Sequence, residues 1–592
     1  MRNYLRRTFG IDLRSLALFR ICVGIILLID ICVRFSDLTV HYVDSGVLPR
    51  DVATKETLSI WVSSLHLITG SAIGQSILLI INMFLAFLFL IGYKTRIVTV
   101  LCWIFIVSLQ ARNVLILSGA DDTLRLSLFF CMFLPLGARY SVDSMMNSGK
   151  YITNNQYFSM GTVAILIQIS MIYVFSFILR DSPIWKEEYT ALYYMFNIDF
   201  FSNDLGRLFL NYPPLLTALT FIFVWVELIG PIIVHIPWFY VPMRLLVIGI
   251  FFSMHIGIAT TMGLGFFPFI SMATWLLFLP SPVWDYITKK LQTLSRKEMI
   301  IYYDRGCDFC RKSCAFLTTF VLLPGTKIIP ADTDPKMLKI LESKNSWIVI
   351  DNLQKKRFGF NALTYVMQKS PIFWFISYPM KLSFIANFGE KIYQYVATNR
   401  PMFSKILSPL RWNELSFSFP RWQQIIVLVA ILYVVFVNIS SIPGVREKFP
   451  KDLYGPSYML GLYQTWNLFA PYPIVGDGWF VMPGKLLNGK EVDLWRNAEE
   501  VTWDKPDEVR HDLKNNRWVK YMANISLNRK WKGHLLYYGR YLCRQWNAKH
   551  TGDDRLHTFS INYIMEKTLP DFKPPVPQKI NLWNHECFKL KK

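Results

Sequence analysis

Two cysteines, Cys307 and Cys310, are the residues whose types and spacing point most directly to chemistry. They follow an apolar stretch at residues 299–303 and a loop that contains Asp304, an order that predicts a buried strand, a sharp turn and then a helix. A thiolate in the first turn of a helix is stabilised by unpaired backbone N–H groups and by the positive end of the helix dipole. The pattern therefore predicts a nucleophilic thiol, and a second thiol one turn away is able to close or resolve a disulfide.

Metal binding and inert thiols are the two alternatives for this pair. Cys314 extends the pattern to C-x-x-C-x-x-x-C and would supply a third thiolate. Structural zinc sites and iron–sulfur clusters usually have four protein ligands, and no fourth Cys or His lies close by in the sequence. We therefore prefer thiol redox chemistry, place metal binding second and assign no metal site.

The rest of the chain predicts a membrane protein. Its 592 residues are 53% hydrophobic and 18% charged, whereas a typical soluble domain has about 25% charged residues. Nine apolar runs predict transmembrane helices, and they lie at residues 16–35, 77–91, 98–110, 124–136, 160–179, 215–234, 245–261, 266–279 and 425–437. Several are shorter than the ~20 residues that span a bilayer, so we expect their helices to extend into flanking polar residues.

The charges predict the orientation of these helices. Lys and Arg together number 63 against 41 Asp and Glu, and the basic residues fall mainly in alternate loops, which is typical of the cytoplasmic loops of membrane proteins. We therefore expect the bilayer, and no nucleic acid, as the partner of this positive charge. The same rule places the N-terminus and residue 282 in the cytoplasm, and the ninth helix then carries the chain outward.

Four segments follow from these patterns: a transmembrane block at 1–285, a small α/β domain at 298–408, a ninth transmembrane helix at 423–441 and an extracytoplasmic domain at 450–592. In the second segment, the order of strand, C-x-x-C helix, strand, helix, strand and helix is typical of a thioredoxin-like domain. The last segment contains an Asn-Gly hairpin signal at 488–489. The predicted fold class is a multi-pass α-helical membrane protein with about nine transmembrane helices, an inserted thioredoxin-like α/β domain and a mainly β C-terminal domain.

Four ionisable side chains in or beside the predicted helices are candidate substrate- or lipid-binding residues. Glu227 and His255 fall inside apolar runs, where ionisable groups usually face a cavity or a partner. Arg180 and Lys186 fall at an outer helix end, where they are placed to hold an anionic headgroup or substrate. The alternatives are a pair that only fixes helix packing, for the first two, and ordinary interfacial anchoring of long cationic side chains, for the last two.

Cys543 and Cys587 are the two cysteines of the predicted external segment. An oxidising compartment favours a disulfide between them, and two unrelated free thiols are the alternative. The predicted side of Cys307 is the reducing cytoplasm, where a C-x-x-C pair is more often catalytic or metal-binding than a structural disulfide.

Several motifs of the transmembrane block occur in a characteristic order. They are D-x-x-x-R at 30–34, R-N at 112–113 with G-A-D-D-T-L-R at 119–125, F-L-P-L-G at 133–137, and M-H at 254–255 followed by G-F-F-P-F at 265–269. With this order, residues 10–285 resemble the HTTM family, the group that includes vitamin K-dependent γ-glutamyl carboxylase. The residues themselves assign no cofactor, whereas the resemblance implies a quinone or a reduced vitamin K-like molecule. Arg180 stands at the position of the family's catalytic lysine, and because arginine keeps its proton, γ-carboxylation of glutamate is not expected.

A second resemblance rests on D-x-x-C-x-x-C at 304–310 and on E-K-I-Y-Q-Y-V-A-T-N-R at 390–400. With these motifs, residues 298–408 resemble the DCC family of thioredoxin-like thiol-disulfide oxidoreductases, which implies catalytic roles for Cys307, Cys310 and Asp304. Arg305 stands where the family usually has Gly, but both thiols are in place. An HTTM block followed by a DCC domain is similar to a known bacterial combination, whose tail often has a motif like Q-T-W-N-L-F-A-P, here at 464–471. The resemblance therefore implies a bacterial inner membrane.

These expectations favour a membrane enzyme that performs redox chemistry on a lipophilic or quinone-like substrate. Its cytoplasmic thiols would exchange electrons with a cytoplasmic thiol reductant. The alternative is a non-catalytic lipid-binding scaffold whose external domain contacts a partner protein. A transporter is a third hypothesis, and the inverted repeats and paired broken helices typical of that class are not seen in the sequence.

Overall fold

Apolar helices make up the N-terminal part of the chain. The computed structural model describes residues 2–149, 154–496, 499–570, 573 and 576–589. The main helices before residue 292 are α1 (Leu13–Ser36), α2 (Ala72–Ile91), α3 (Thr95–Arg112), α4 (Gly119–Cys131), α5 (Met160–Leu179), α6 (Pro213–Ile233), α7 (Tyr240–Thr261), α8 (Phe267–Trp275) and α9 (Ser281–Leu291). Shorter helices in this part include Arg2–Phe9, Leu38–His41, Val142–Met145, Pro183–Lys186, Ala191–Phe196 and Asp204–Leu208. A two-residue strand, Ile11–Asp12, pairs with Gln156–Tyr157.

Seven helices of the described residues are long and apolar enough to cross a membrane. They are α1, α2, α3, α5, α6, α7 and the later helix Arg421–Ile439. Many of their large apolar side chains face outward, for example Ile80, Phe84 and Ile232, which are 55%, 59% and 58% exposed. Length, composition and this outward apolar surface are compatible with insertion into a bilayer.

Two of the nine runs expected to cross do not form helices of sufficient length. The run at 124–136 lies in α4, whose 13 residues span about 20 Å, less than the ~30 Å hydrocarbon core of a bilayer. The run at 266–279 lies in α8 and a short 3₁₀ turn, and a 90° bend separates it from α9. Pro280 at the bend lacks the N–H that would continue the helix. The predicted count of nine therefore becomes seven, or eight if the bent pair is one span.

A small α/β domain follows α9. Its elements are β1 (Ile300–Tyr303), α10 (Asp308–Phe316), β2 (Lys327–Pro330), α11 (Pro335–Lys344), β3 (Ile348–Ile350), β4 (Lys356–Arg357), α12 (Gly359–Lys369), α13 (Ser383–Thr398) and α14 (Arg400–Ile406). The sheet order is β2-β1-β3-β4, with β1 parallel to β2 and antiparallel to β3. Ile301 and Val349 pack on one face with Leu317 of the segment after α10, and Ile348 packs on the other face with Leu341 of α11. Alternating apolar side chains thus bury both faces of this sheet.

The C-terminal part begins with α15 (Arg421–Ile439). It continues with β5 (Gly476–Val481), β6 (Pro483–Leu486), β7 (Glu491–Asp493), α16 (Asn516–Leu527), α17 (Leu535–Asn547), β8 (Leu556–Lys567) and β9 (Gln578–Glu586). β8 pairs antiparallel with β5, β6 and β9, and β6 pairs with β7. Asn488 and Gly489 form the turn between β6 and β7, where Gly489 has a φ of 86°, a conformation that favours glycine. This part therefore combines an antiparallel sheet with two helices.

A network of four buried charges joins the C-terminal part to the apolar helices. Arg34 Nε lies 2.8 Å from Asp30 Oδ2, and Arg34 Nη2 lies 2.5 Å from Asp121 Oδ1. Arg517 of α16 donates to Asp30 Oδ1 at 2.5 Å and to both carboxylate oxygens of Asp121 at 3.1 Å. All four side chains are at most 10% exposed. Two positive and two negative charges thus neutralise one another away from water.

The helix that leads into the α/β domain and the C-terminal part contact opposite ends of α1. At its first turn, Arg14 Nη2 lies 2.7 Å from Asp285 Oδ1 of α9, the helix that leads into the α/β domain. After its last turn, Asp37 Oδ1 lies 2.6 Å from Lys514 Nζ, just before α16. The 24 residues of α1 span about 36 Å, which is sufficient for the hydrocarbon core of a bilayer.

Replacing Arg517 by alanine tests whether this network holds the C-terminal part in place. Arg517→Ala leaves two buried carboxylates with one arginine, so we expect a loss of about 3–5 kcal/mol in the free energy of unfolding. Thermal unfolding of the full chain in detergent measures the effect as a lower Tm. Arg529→Ala, at an exposed arginine of the same part, is the control and should leave Tm nearly unchanged. Equal Tm values for the two variants would contradict the account.

Candidate thiol site and membrane cavity

Cys307 immediately precedes the first residue of α10 and caps this helix. Its Sγ accepts the backbone N–H of Cys310 at 3.1 Å, which satisfies one of the free N–H groups of the first turn. The turn before it is shaped by Asp304, whose Oδ1 accepts the N–H of Gly306 at 2.9 Å. The structure thus brings the predicted residues Asp304, Cys307 and Cys310 together at one helix end, and both cysteines are free thiols.

The two thiols differ in acidity. A side-chain hydrogen bond from Cys310 lowers the pKa of Cys307 to about 7, with further support from the Cys310 backbone N–H and the Arg400 guanidinium. Burial and the Asp304 carboxylate act in the opposite direction on this pKa. The same side-chain hydrogen bond raises the pKa of Cys310 far above its usual range. Cys307 is therefore the more acidic thiol, partly ionised at neutral pH, and Cys310 keeps its proton.

Arg400 is a contributor that the spacing of the cysteines did not reveal. It lies 93 residues after Cys307, at the first turn of α14, with its Nη1 3.9 Å from Asp304 Oδ2. The only sequence signal was the motif at 390–400, which ends at this arginine. The Asp304 carboxylate therefore raises the pKa of the Cys307 thiol, and the Arg400 guanidinium lowers it.

Cys314 lies one turn further along α10 and is buried. Burial raises the pKa of this thiol to about 12, so it stays protonated at neutral pH. Across the part of the chain that the structure describes, no group of three or more His, Cys, Asp or Glu side chains is arranged to hold a metal ion. The third cysteine therefore joins the apolar packing of the α/β domain rather than a ligand set.

An apolar cavity of about 600 Å³ lies beside Cys310. Its walls come from β1, α10, α12, α13 and the segments around them, and they include Phe309, Leu317, Trp347, Phe360, Leu363 and Ile392. Asp304 and Arg400 form a polar part of the wall, and Met145 of the N-terminal part also lines the cavity. A lipophilic molecule in this cavity would contact Cys310, one turn of α10 away from Cys307.

A second cavity, of about 430 Å³, contains three of the four predicted membrane residues. Arg180, just after α5, contacts Glu227 of α6 through Nη1, and its guanidinium lies 4.4 Å from the centre of the Trp185 ring. His255 Nε2 lies 2.8 Å from the hydroxyl of Tyr173. Lys186 lies apart from this cavity, with its Nζ 3.4 Å from Asp181 Oδ1.

The segment at 464–471 closes this second cavity. Arg180 Nε donates to the carbonyl of Leu468 at 3.2 Å, and Trp185 Nε1 donates to that of Phe469 at 3.0 Å. Phe469 has a φ of 56°, a conformation unfavourable for a side chain of this size, and the Trp185 bond helps to hold it there. The motif at 464–471 therefore forms a wall between the apolar helices and the C-terminal sheet.

Cys543 and Cys587 form a disulfide with an S–S distance of 2.01 Å. It joins α17 to the residue just after β9 and closes a loop with a sequence separation of 44 residues. A cross-link of this kind restricts the unfolded chain and so favours the folded state.

The reactivity of Cys307 should follow its lowered pKa. We expect its alkylation by iodoacetamide to be slow below pH 7 and to rise with a midpoint at about pH 7, instead of the ordinary thiol value of 9.0. Arg400→Gln removes a nearby positive charge and should move the midpoint upward. Arg305→Gln is the control, because Arg305 instead pairs with Asp332 at 3.2 Å. Mass spectrometry of the modified peptide measures each rate, and a wild-type midpoint near 9 would refute the activated thiol.

Comparison with known proteins identifies one segment of the chain. Residues 301–405 match the family of DCC1-like thiol-disulfide oxidoreductases. The resemblance of residues 10–285 to the HTTM family stays a prediction, since no such match covers them. The comparison with curated proteins and that with solved structures each returned no match. Residues 301–405 are thus a DCC1-like thiol-disulfide oxidoreductase domain, carried in a chain whose described residues include seven helices long and apolar enough to cross a membrane.

Proposed function

We propose that this protein is an integral membrane oxidoreductase whose Cys307–Cys310 pair exchanges electrons with a lipophilic, quinone-like substrate. The observation that carries the proposal is an activated thiolate at Cys307, one helical turn from Cys310, which lines a large apolar cavity. Catalytic thiols need a pKa near the working pH, and a water-poor cavity selects apolar molecules. Cys307 is the attacking thiolate, Cys310 is the resolving thiol, and Asp304 with Arg400 sets the charge around them.

The reaction transfers two electrons. The Cys307 thiolate attacks an electrophilic ring carbon of the quinone and forms a C–S bond. Cys310 then attacks Cys307 Sγ, so that the S–S bond forms and the C–S bond breaks. The electron pair leaves with the ring as a hydroquinone, which takes up the Cys310 proton and one proton from water. A cytoplasmic dithiol reductant then reduces the disulfide by thiol exchange.

An exposed apolar patch beside the cavity supports entry of the substrate from a bilayer. It consists of Trp374, Phe375, Tyr378, Leu382, Phe384 and Phe388, which are 50–71% exposed. The last two belong to α13, whose later residues line the cavity. Aromatic side chains beside basic ones, here Lys369 and Lys381, are typical of surfaces that meet lipid headgroups.

The distribution of cysteines supports the orientation that we propose, with the thiol domain in the cytoplasm of a bacterium and the C-terminal part outside. Cys307, Cys310 and Cys314 are free, whereas Cys543 and Cys587 are joined. Free thiols persist in reducing compartments and disulfides in oxidising ones. One end of α1 contacts α9, which leads into the domain with the free thiols, and the other end contacts the part with the disulfide.

A non-catalytic lipid-binding scaffold is the second candidate function. The cavity at Arg180 and Glu227 favours it, because it lies between the apolar helices and the C-terminal part and does not include the thiols. In that case the external part would contact a protein partner, and lipid would copurify without redox turnover.

Quinone reduction by the reduced full chain distinguishes these functions. In lipid nanodiscs with a short-chain quinone, we expect loss of two thiols for each hydroquinone formed. Cys307→Ser and Cys310→Ser should abolish turnover, whereas Cys314→Ser is the matched control and should retain it. Leu363→Trp narrows the thiol cavity and should slow quinone reduction but leave the reaction with a small water-soluble disulfide unchanged.

Two outcomes test the thiol mechanism and the substrate site separately. Full turnover by Cys307→Ser would exclude the thiol mechanism. Equal quinone rates for wild type and Leu363→Trp would exclude the apolar cavity as the substrate site.

A further inference from the structure

The cavity between the apolar helices and the C-terminal part contains a lysine that the sequence patterns did not single out. Lys520 lies on α16 and lines the same 430 Å³ cavity as Arg180, Glu227 and His255. No apolar run or motif marks this residue in the sequence, and only the packing of α16 onto the helices brings it there.

Among the charged side chains that line the cavity in the described residues, Lys520 alone forms no ion pair. Arg180 and Glu227 contact each other, and Asp122 Oδ1 lies 2.7 Å from Arg125 Nη2. In the described part of the chain, Lys520 Nζ makes no hydrogen bond or ion pair, and it lies over the Phe201 ring, 5.5 Å from the ring centre. Burial lowers the pKa of Lys520 against the opposing attraction of the Asp121 carboxylate, so its surroundings disfavour the ammonium form. An anion in the cavity would stabilise the charged form.

Three buried polar atoms of the same wall also lack partners among the described residues. They are Ser176 Oγ, His255 Nδ1 and Asn516 Oδ1. Most buried polar groups in native proteins are hydrogen-bonded, because an unpaired one loses its hydration without replacement. Their convergence on one cavity, together with Lys520, indicates a polar group of a ligand at this place.

The remaining wall is apolar. It includes Ile172, Phe223, Met254, Ile258, Leu264 and Phe267, which come from α5, α6, α7, α8 and the loop before α8. The volume is at the small end of the ~300–1,000 Å³ range of small-molecule sites, which fits one chain or ring rather than a two-chain lipid. An occupant therefore has a polar end at Lys520 and an apolar end among these side chains.

We propose that this cavity binds a single-chain amphiphile with an acidic head, with the head at Lys520 and the chain between α5, α6 and α7. The Ser176 hydroxyl and the Nδ1–H of His255 donate hydrogen bonds to the head, and Asn516 does so through its Nδ2 group, because its Oδ1 only accepts. Arg180 and Glu227 neutralise each other and form the wall beside it. The site is separate from the thiol pair and does not depend on the redox function.

Binding of cis-parinaric acid, a fluorescent single-chain carboxylic acid, tests the proposal on the full chain in detergent. Its methyl ester is the uncharged probe of the same shape. We expect wild type to bind the acid more tightly than the ester. Lys520→Gln should weaken binding of the acid about tenfold or more, since a buried charge-assisted hydrogen bond is lost, and should leave the ester unchanged. Lys520→Arg should restore most of the affinity.

Lys532→Gln, at an exposed lysine of the same part, is the control and should bind like wild type. An unchanged Tm and an unchanged alkylation rate of Cys307 show that the variants are folded. Competition by lauric acid or by lysophosphatidic acid distinguishes a free fatty acid from a single-chain phospholipid as the source of the acidic head. Equal binding of acid and ester by wild type, or equal acid binding by wild type and Lys520→Gln, would overturn the proposal.

Discussion

The buried network of Asp30, Arg34, Asp121 and Arg517 is the interaction on which the arrangement of the molecule depends. Three of these residues belong to α1 and α4, and the fourth comes from α16, 487 residues after Asp30. None of the four charges is stable in this place without the others, because each is removed from water. The network therefore holds α16 on the apolar helices, and α16 in turn places Lys520 in the wall of the second cavity.

The same geometry separates two kinds of chemistry along α1. Its first turn contacts α9, the helix that leads into the α/β domain. The cysteines of that domain are free thiols. The other end of α1 contacts the C-terminal part, which contains the disulfide. The two cavities are separated in the same way. The apolar cavity is lined by Cys310, and the second cavity, which has unpaired polar groups, is lined by Arg180 and Lys520. The thiols thus have no direct access to the second cavity, and the two sites are best treated as independent.

Local features were predictable from the sequence and distant ones were not. A cysteine before an amphipathic helix is bound to meet the free N–H groups of its first turn, so the geometry of Cys307 follows from its neighbours alone. The Asn-Gly turn between β6 and β7 was equally local. Arg400 could not be assigned from spacing, because its effect on Cys307 arises only when α14 packs beside α10. Apolarity alone also overstated the number of membrane helices, since α4 is apolar but short.

Membrane-impermeant maleimide labelling of the full chain, in unbroken and in permeabilised cells, tests the central claim most directly. The account predicts that Cys307 is labelled only after permeabilisation. Cys543 and Cys587 should be labelled in unbroken cells once an impermeant reductant has opened their disulfide. Labelling of Cys307 in unbroken cells would contradict the proposed orientation, in which the thiols face a reducing compartment and the C-terminal part an oxidising one.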